Sequence, residues 1–273
     1  MSAASQFASE PAHDVSTRIA AAGLDWIVPQ WPAPRSINAF FTTRNAVDPR
    51  GARISFDVAG PPGPDAGRSD AFAESRRIVE ALVPSPPVWL DQVHGATVVP
   101  VEAQSRETGD RWPRADAAVT RATDVVLAIR VADCLPALFT AADGSVIGAA
   151  HAGWRGLAAG VLESTVAAMQ CDAARILAWL GPCIGAAAYE VGDDVRDAFI
   201  ARDANASSAF ARGRLGKWQA DLEMLARRRL AQAGVGAVTS ARMCTASDAS
   251  RFYSFRRDQA TGRMAALIWR HPC

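Results

Sequence analysis

The sequence predicts a single domain built as an α/β or α+β sandwich rather than a regular βαβ alternation. Two observations carry that expectation. Short apolar runs punctuated by turn residues recur from Trp26 onward and outnumber the segments with helical spacing. Many of these runs are joined by tight turns, leaving no room for the helix that a regular βαβ alternation requires. The 273 residues, 49% of them hydrophobic, suffice for a substantial core, and no repeat, low-complexity stretch or linker divides them. Residues 1–22, small, polar and aperiodic at their start, are expected as a disordered N-terminal arm, and residues 23–273 as one domain.

INAFFT, at residues 37–42, reads as the first strand. Residues 45–69 contain the breakers DPRGAR and AGPPGPDAG and read as one long loop. Ala71, Phe72, Ile78, Val79 and Leu82 recur at helical spacing, which predicts a helix over 69–82 closed by PSPP. Strands are expected at 88–93 and 97–101, flanking an HGA turn, and at 115–120. The apolar stretch 125–140 is interrupted by Ala132-Asp133-Cys134 and Pro136. Proline cannot donate to a strand ladder, so two strand segments with a kink or bulge at 133–134 are expected. Further strands are expected at 145–150, 176–180, 237–241 and 265–269, and helices at 157–169, 193–206 and 217–233.

Composition excludes several function classes. Lys and Arg number 29 against 28 Asp and Glu, so no strong field draws the chain to nucleic acid or an anionic membrane. Lys217 is the only lysine, which disfavours Schiff-base chemistry. Cys134, Cys171, Cys183, Cys244 and Cys273 are odd in number and form no CxxC pair, which argues against a disulfide framework, a zinc ribbon or a thioredoxin-type motif. No basic region followed by a long apolar run marks a signal peptide, and no apolar run approaches the ~20 residues of a membrane span. A cytoplasmic location with reduced thiols is expected.

The four histidines divide by position. His13 and His271 lie near the ends and read as inert. His94, in DQVHGATVV, and His151, in AAHAGWRG, each sit at a strand end before glycine, where sites collect. A single histidine is more often a core or surface residue than a ligand, and a free cysteine is most often a small buried hydrophobe. Yet Cys134 lies in VADCLPALF between an acid and a proline that are costly in an apolar strand. Two imidazoles and a thiolate suit Zn²⁺ with a fourth position open, and copper accepts the same set.

Cys183, in LGPCIGAAAYEVG, is either a nucleophile paired with a histidine or a cysteine chosen for its size. Asp91 and Asp133 are candidates to orient a ligating histidine or to move protons; strand-end capping explains them equally well. Arg44, Arg155 and Arg256 are candidate anion binders, with Arg155 beside the N-terminus of the helix that follows HAGWRG. Trp154, Phe252 and Tyr253 are able to stack a flat substrate, with packing as the default. The Gly153/Gly156/Gly160 spacing does not match GxGxxG, and no GK[ST] occurs.

FFTTR, DQVHG, ADCLPALF, HAGWRG, GPCIG…YEVG, CT and FYSFRRD…TGR run in order from Phe40 to Ile268. Together they resemble the bacterial laccase-domain, or multicopper polyphenol oxidoreductase, family, members of which were reassigned as purine nucleoside phosphorylases and some as peptidoglycan-editing factors. The resemblance implies a layered α/β/β/α sandwich with mixed sheets, similar to the cysteine-hydrolase domain of a deamidating toxin, so that residues 23–273 form one catalytic domain. It implies zinc, with copper possible, held by His94, Cys134 and His151. It implies zinc-dependent phosphorolysis of adenosine, inosine, guanosine and methylthioadenosine, with adenosine deamination, and hence a nucleoside and phosphate as partners. On that reading Cys134, Asp133, Arg155 and Cys183 are the candidate catalytic residues, and Arg44, Arg155 and Arg256 the substrate-binding ones. Alternatives are copper-dependent phenol oxidation, a cysteine hydrolase or amidase acting on a peptidoglycan precursor, or a binding protein with a purely structural metal. One departure is visible: where the family continues TR with a Gly-Gly-Val-Ser-like loop and Asn-Leu-Gly, this chain reads TRNAVDPRGARISFDVAG, keeping Arg44 but not the glycines or asparagine.

Overall fold

A strand whose side chains are apolar at every position must be covered on both faces, and several strands of this chain have that character. The computed structural model describes residues 15–48, 51–58, 70–103 and 112–272; His13 and Cys273 lie outside them. The strands are β1 (Ile37–Phe41), β2 (Asn45–Val47), β3 (Arg53–Ser55), β4 (Val98–Pro100), β5 (Ala117–Thr120), β6 (Leu127–Val131), β7 (Leu135–Ala141), β8 (Ile147–Ala152), β9 (Ile176–Leu180), β10 (Glu190–Val191), β11 (Phe210–Arg212), β12 (Trp218–Ala220), β13 (Ala237–Ser240) and β14 (Met264–Arg270). The helices are α1 (Val15–Ala21), α2 (Asp70–Glu80), α3 (Trp154–Ala159), α4 (Val161–Ala168), α5 (Asp193–Ile200), α6 (Leu222–Gln232) and α7 (Phe255–Asp258).

Two sheets form the centre. One is antiparallel, ordered β1-β14-β6; the other is mixed, ordered β13-β9-β7-β8-β5-β4, with β13/β9 and β4/β5 parallel. Alternate residues of β14 point opposite ways: Met264, Ala266 and Ile268 join the core between the sheets, while Ala265, Leu267 and Trp269 join an outer core. That outer core contains Val15 and Ile19 of α1 and Val79 of α2. In the larger sheet, Leu138, Ile147 and Ala149 face the inter-sheet core, whereas Ala137, Phe139 and Ala150 face a third core built with Val161 and Leu162 of α4 and Leu225 and Leu230 of α6. The layers are therefore α/β/β/α, as the family resemblance implies.

The expected interruption of the 125–140 stretch is present. Asp133 adopts a left-handed φ of 89° between β6 and β7. Pro136 lies in β7 opposite His151, and its carbonyl accepts the Gly181 amide at 2.9 Å. Other expectations change. Residues 15–21, assigned to the disordered arm, form α1, because Val15 and Ile19 have an apolar surface to cover. The 45–69 loop contains the β2–β3 hairpin, and its remaining stretches 49–50 and 59–69 lie outside the described residues. Residues 88–93 form no strand, only isolated bridges from Val88 to Leu127 and from Asp91 to Arg114. The 157–169 helix is two helices parted by Gly160 at φ 100°. Residues 193–206 are α-helical only to Ile200, and a 3-10 helix begins at Ala204. Residues 218–220 leave the predicted 217–233 helix to pair as β12 between β10 and β11.

Candidate metal centre

Three chain reversals bring the site together. His94 lies in the turn before β4 at φ 61°, Cys134 directly follows the left-handed Asp133, and His151 is the penultimate residue of β8. Their ligand atoms all lie within 4.8 Å of one another. His94 Nε2 is 3.8 Å from Cys134 Sγ, close to the ~3.6 Å edge that tetrahedral zinc–nitrogen and zinc–sulfur bonds define. The two imidazoles meet edge to face, with centroids 4.7 Å apart. His151 is buried, Cys134 half-buried and His94 exposed, so the cluster opens on the His94 side.

Asp116 organises the cluster. Fully buried, its carboxylate accepts His151 Nδ1–H at 2.8 Å and the backbone amides of Val93, His94 and Gly95 at 3.2, 2.9 and 2.7 Å. One carboxylate thus holds the turn that carries His94 and leaves His151 Nε2 facing the other two ligands. Burial pulls the Asp116 carboxyl upward, but the His151 and backbone hydrogen bonds outweigh it and keep the group below the usual carboxylate range. Burial likewise pushes the Cys134 thiol up, yet the His151 and His94 imidazoles bring it down to about 6. For His151, burial is outweighed by the Cys134 thiolate and Asp116, which raise it to about 9. The two shifts have one cause, the proximity of thiol and imidazole, which favours the charged form of each.

The glycines of HAGWRG serve close approach more than turning. Gly153 has φ −65° and ψ 158°, open to any residue. A Cβ there would lie 2.8 Å from His94 Cδ2 and 3.0 Å from Cys134 Sγ. A Cβ at Gly156 would meet the Gly95 carbonyl oxygen at 2.7 Å. Both positions must be glycine for the α3 end to reach the metal ligands.

The remaining candidates separate. Arg155, exposed on α3, lies over the Trp154 ring at 4.4 Å. Arg256 lies over Tyr189 at 5.3 Å and donates to the Glu190 carbonyl at 2.8 Å. Burial pushes the Tyr189 hydroxyl well up; the Cys134 thiolate adds to this, while Arg256 and Arg155 oppose it, so these four side chains share one electrostatic neighbourhood. Arg44 stacks on Tyr253 at 4.7 Å and donates to the Ala249 carbonyl at 3.0 Å. Asp133 is committed: its carboxylate accepts Thr245 Oγ1 at 2.6 Å, Ser254 Oγ at 3.0 Å and the Arg256 amide at 2.6 Å. It positions α7 and is replaced by Asp116 as the acceptor for the histidine. Asp91 is exposed and pairs through its backbone with Arg114. Cys183 is buried and its thiol is pushed well up, so in the resting protein it is held as a thiol rather than as the activated thiolate of a histidine-paired nucleophile. His271 meets Asp124 at 3.0 Å and accepts from Trp269 at 3.2 Å, away from any ligand set.

Sequence reasoning missed Asp116 and Tyr189. Asp116 had a signal: it is the acid in RADAAVT, at the mouth of a strand that is otherwise apolar. The pattern of the family described as multi-copper polyphenol oxidoreductase laccase matches residues 38–271. The chain belongs to this family. Within the laccase-like family, a purine nucleoside phosphorylase of Pseudomonas aeruginosa is 45% identical over 245 residues, covering 89% of this chain and 98% of that one. The purine nucleoside phosphorylase YfiH of Escherichia coli is 44% identical, with the same coverage. The crystal structure of a Neisseria meningitidis protein superposes with a TM-score of 0.82 at 42% identity, covering 91% of this chain and all of that one. Among the described residues, the laccase-like family member has one cluster able to hold a metal and no helix long and apolar enough to cross a membrane.

Proposed function

We propose that the protein is a zinc-dependent purine nucleoside phosphorylase, acting on adenosine, inosine, guanosine and methylthioadenosine, that also deaminates adenosine. The observation that carries this reading is the His94–Cys134–His151 cluster, open on one side and flanked by Arg155, Arg256 and Tyr189. The donor set fits the metal: two imidazoles, one thiolate and a fourth position free for substrate. Zinc bound there supplies Lewis acidity at that open position. The protein's own groups do the rest. Asp116 holds the His151 tautomer and the His94 turn. Arg155 and Arg256 neutralise phosphate as it approaches the ribose carbon, where their fixed charge is worth most. Tyr189, kept protonated by burial, offers the bound nucleoside a hydrogen bond. Arg44, stacked and already donating, supports the 249–253 segment beside the site.

Copper fits the same donor set, and weak phenol oxidation would follow from it. A multicopper cluster would need far more imidazoles than the four histidines in the sequence. The cysteine-hydrolase reading has its own support, because Cys134, His151 and Asp116 form a nucleophile–base–acid series in the metal-free protein. One experiment separates all three: strip the metal, reload zinc or copper separately, and assay inosine with phosphate, adenosine alone, a phenol and a peptidoglycan-derived amide. Zinc-dependent ribose 1-phosphate and inosine formation, both lost in His151→Ala, is the expected result. Phenol oxidation with copper and no nucleoside turnover, or amide hydrolysis that rises on metal removal, overturns it.

A further inference from the structure

A second thiol site lies behind the metal centre. The backbones of Cys183 and Cys244 form an isolated parallel bridge, in which the Cys183 amide donates to the Met243 carbonyl at 3.3 Å and the Thr245 amide to the Cys183 carbonyl at 3.0 Å. Paired residues on neighbouring strands present their side chains to one face and lie ~4.8 Å apart, inside the span that a disulfide bridges. Both cysteines line one pocket of about 250 Å³, together with Gly185, Asp221, Glu223 and Arg242.

The two thiols are not alike. Cys244 is half-buried, and its sulfur accepts the Gly185 amide at 3.1 Å and Ser247 Oγ–H at 3.2 Å. Donors converging on sulfur favour a thiolate, the nucleophilic form. Gly185 has no side chain because a Cβ would meet both Cys244 Cβ and Sγ at 3.2 Å. Cys183 is buried, its Sγ–H directed at the Ile184 carbonyl at 3.7 Å. One sulfur is thus prepared to attack and the other is held protonated beside it.

We propose that Cys244 and Cys183 form a peroxide-sensitive thiol pair, Cys244 being oxidised first and Cys183 resolving it into a disulfide. The Cys244 thiolate attacks the distal oxygen of a hydroperoxide. The O–O bond breaks, an S–O bond forms, and the alkoxide or hydroxide takes up a proton and leaves, giving the sulfenic acid. After rotation about its Cα–Cβ bond, Cys183 attacks that sulfur. An S–S bond forms, the S–O bond breaks, and the Cys183 proton leaves with the hydroxyl group as water. The peroxide is the oxidant, and one equivalent is consumed per disulfide.

The test uses the zinc-loaded full chain, exposed to one to a few equivalents of hydrogen peroxide, alkylated, digested without reduction and read by mass spectrometry. The expected product is the Cys183 peptide joined to the Cys244 peptide, about 2 Da lighter than their sum and separated again by a thiol reductant. In Cys183→Ala, dimedone added with the peroxide is expected to label Cys244, and Cys244→Ser is expected to lose both label and cross-link. The cross-link in the unmodified chain decides even if a variant does not fold. Oxidation landing first on Cys134, Cys171 or Cys273, or a dimedone label that persists on Cys244 of the unmodified chain without a link to Cys183, overturns the proposal.

Discussion

Gly153 marks how little room the metal ligands leave. Its missing Cβ would press on His94 at 2.8 Å and Cys134 at 3.0 Å, whereas its backbone angles suit any residue. Gly153→Ala is therefore expected to weaken metal affinity by ~10-fold or more while leaving the circular-dichroism spectrum intact, as a chelator competition reads directly. Asp116→Asn removes the carboxylate that fixes both histidines and is expected to cost ~10–100-fold in metal affinity. Titration gives a third expectation. In the metal-free protein Cys134 is a thiolate above about 6, while His151 keeps its proton up to about 9. Metal binding near neutrality must then expel about one proton, which calorimetry in buffers of different ionisation enthalpy measures; below about 6 the thiol protonates and retention of the metal falls. The three ligands are legible in the sequence because each stands at a break, beside a glycine or an out-of-place acid. Asp116 shows only as an acid at the mouth of an apolar strand, and Tyr189 not at all, because the histidine that one holds and the pocket that the other lines are set by what folds over them.

At the scale of elements, residues 176–180 and the two halves of 125–140 are read correctly from the sequence because apolar runs, Pro136 and Asp133 encode them locally. Residues 218–220 are not, because helical periodicity continues into them while the pairing that makes them a strand comes from partners 6 and more residues away. Gly160 divides α3 from α4 at φ 100°, and a Cβ there has no neighbour closer than 3.5 Å. Gly160→Ala is thus a purely conformational change, expected to destabilise by ~1–2 kcal/mol in urea unfolding without altering metal binding. Asp221 caps α6 by accepting the Met224 amide at 2.8 Å, and Asp221→Ala is expected to cost ~1 kcal/mol by the same measurement.

For the whole molecule, the metal ligands come from the turn before β4, the β6–β7 connection and the end of β8, so the ligand set exists only in the folded chain. Zinc should accordingly raise the melting temperature in a concentration-dependent way, and the rise should vanish in Cys134→Ser. The two sheets also differ in when they are able to assemble. β14, the last strand among the described residues, is the middle of its sheet, with Ile37 registered against Arg270 on one side and Val131 against Met264 on the other. During synthesis β1 and β6 have no partner in that sheet until residues 264–270 arrive, and the inner faces of both sheets stay uncovered for most of the time the ribosome is at work. The larger sheet has all its strands by then, β13 being the last of them to be made. A nonsense mutation or a frameshift late in the gene would therefore release not a slightly shortened enzyme but a chain with its central layer open to aggregation.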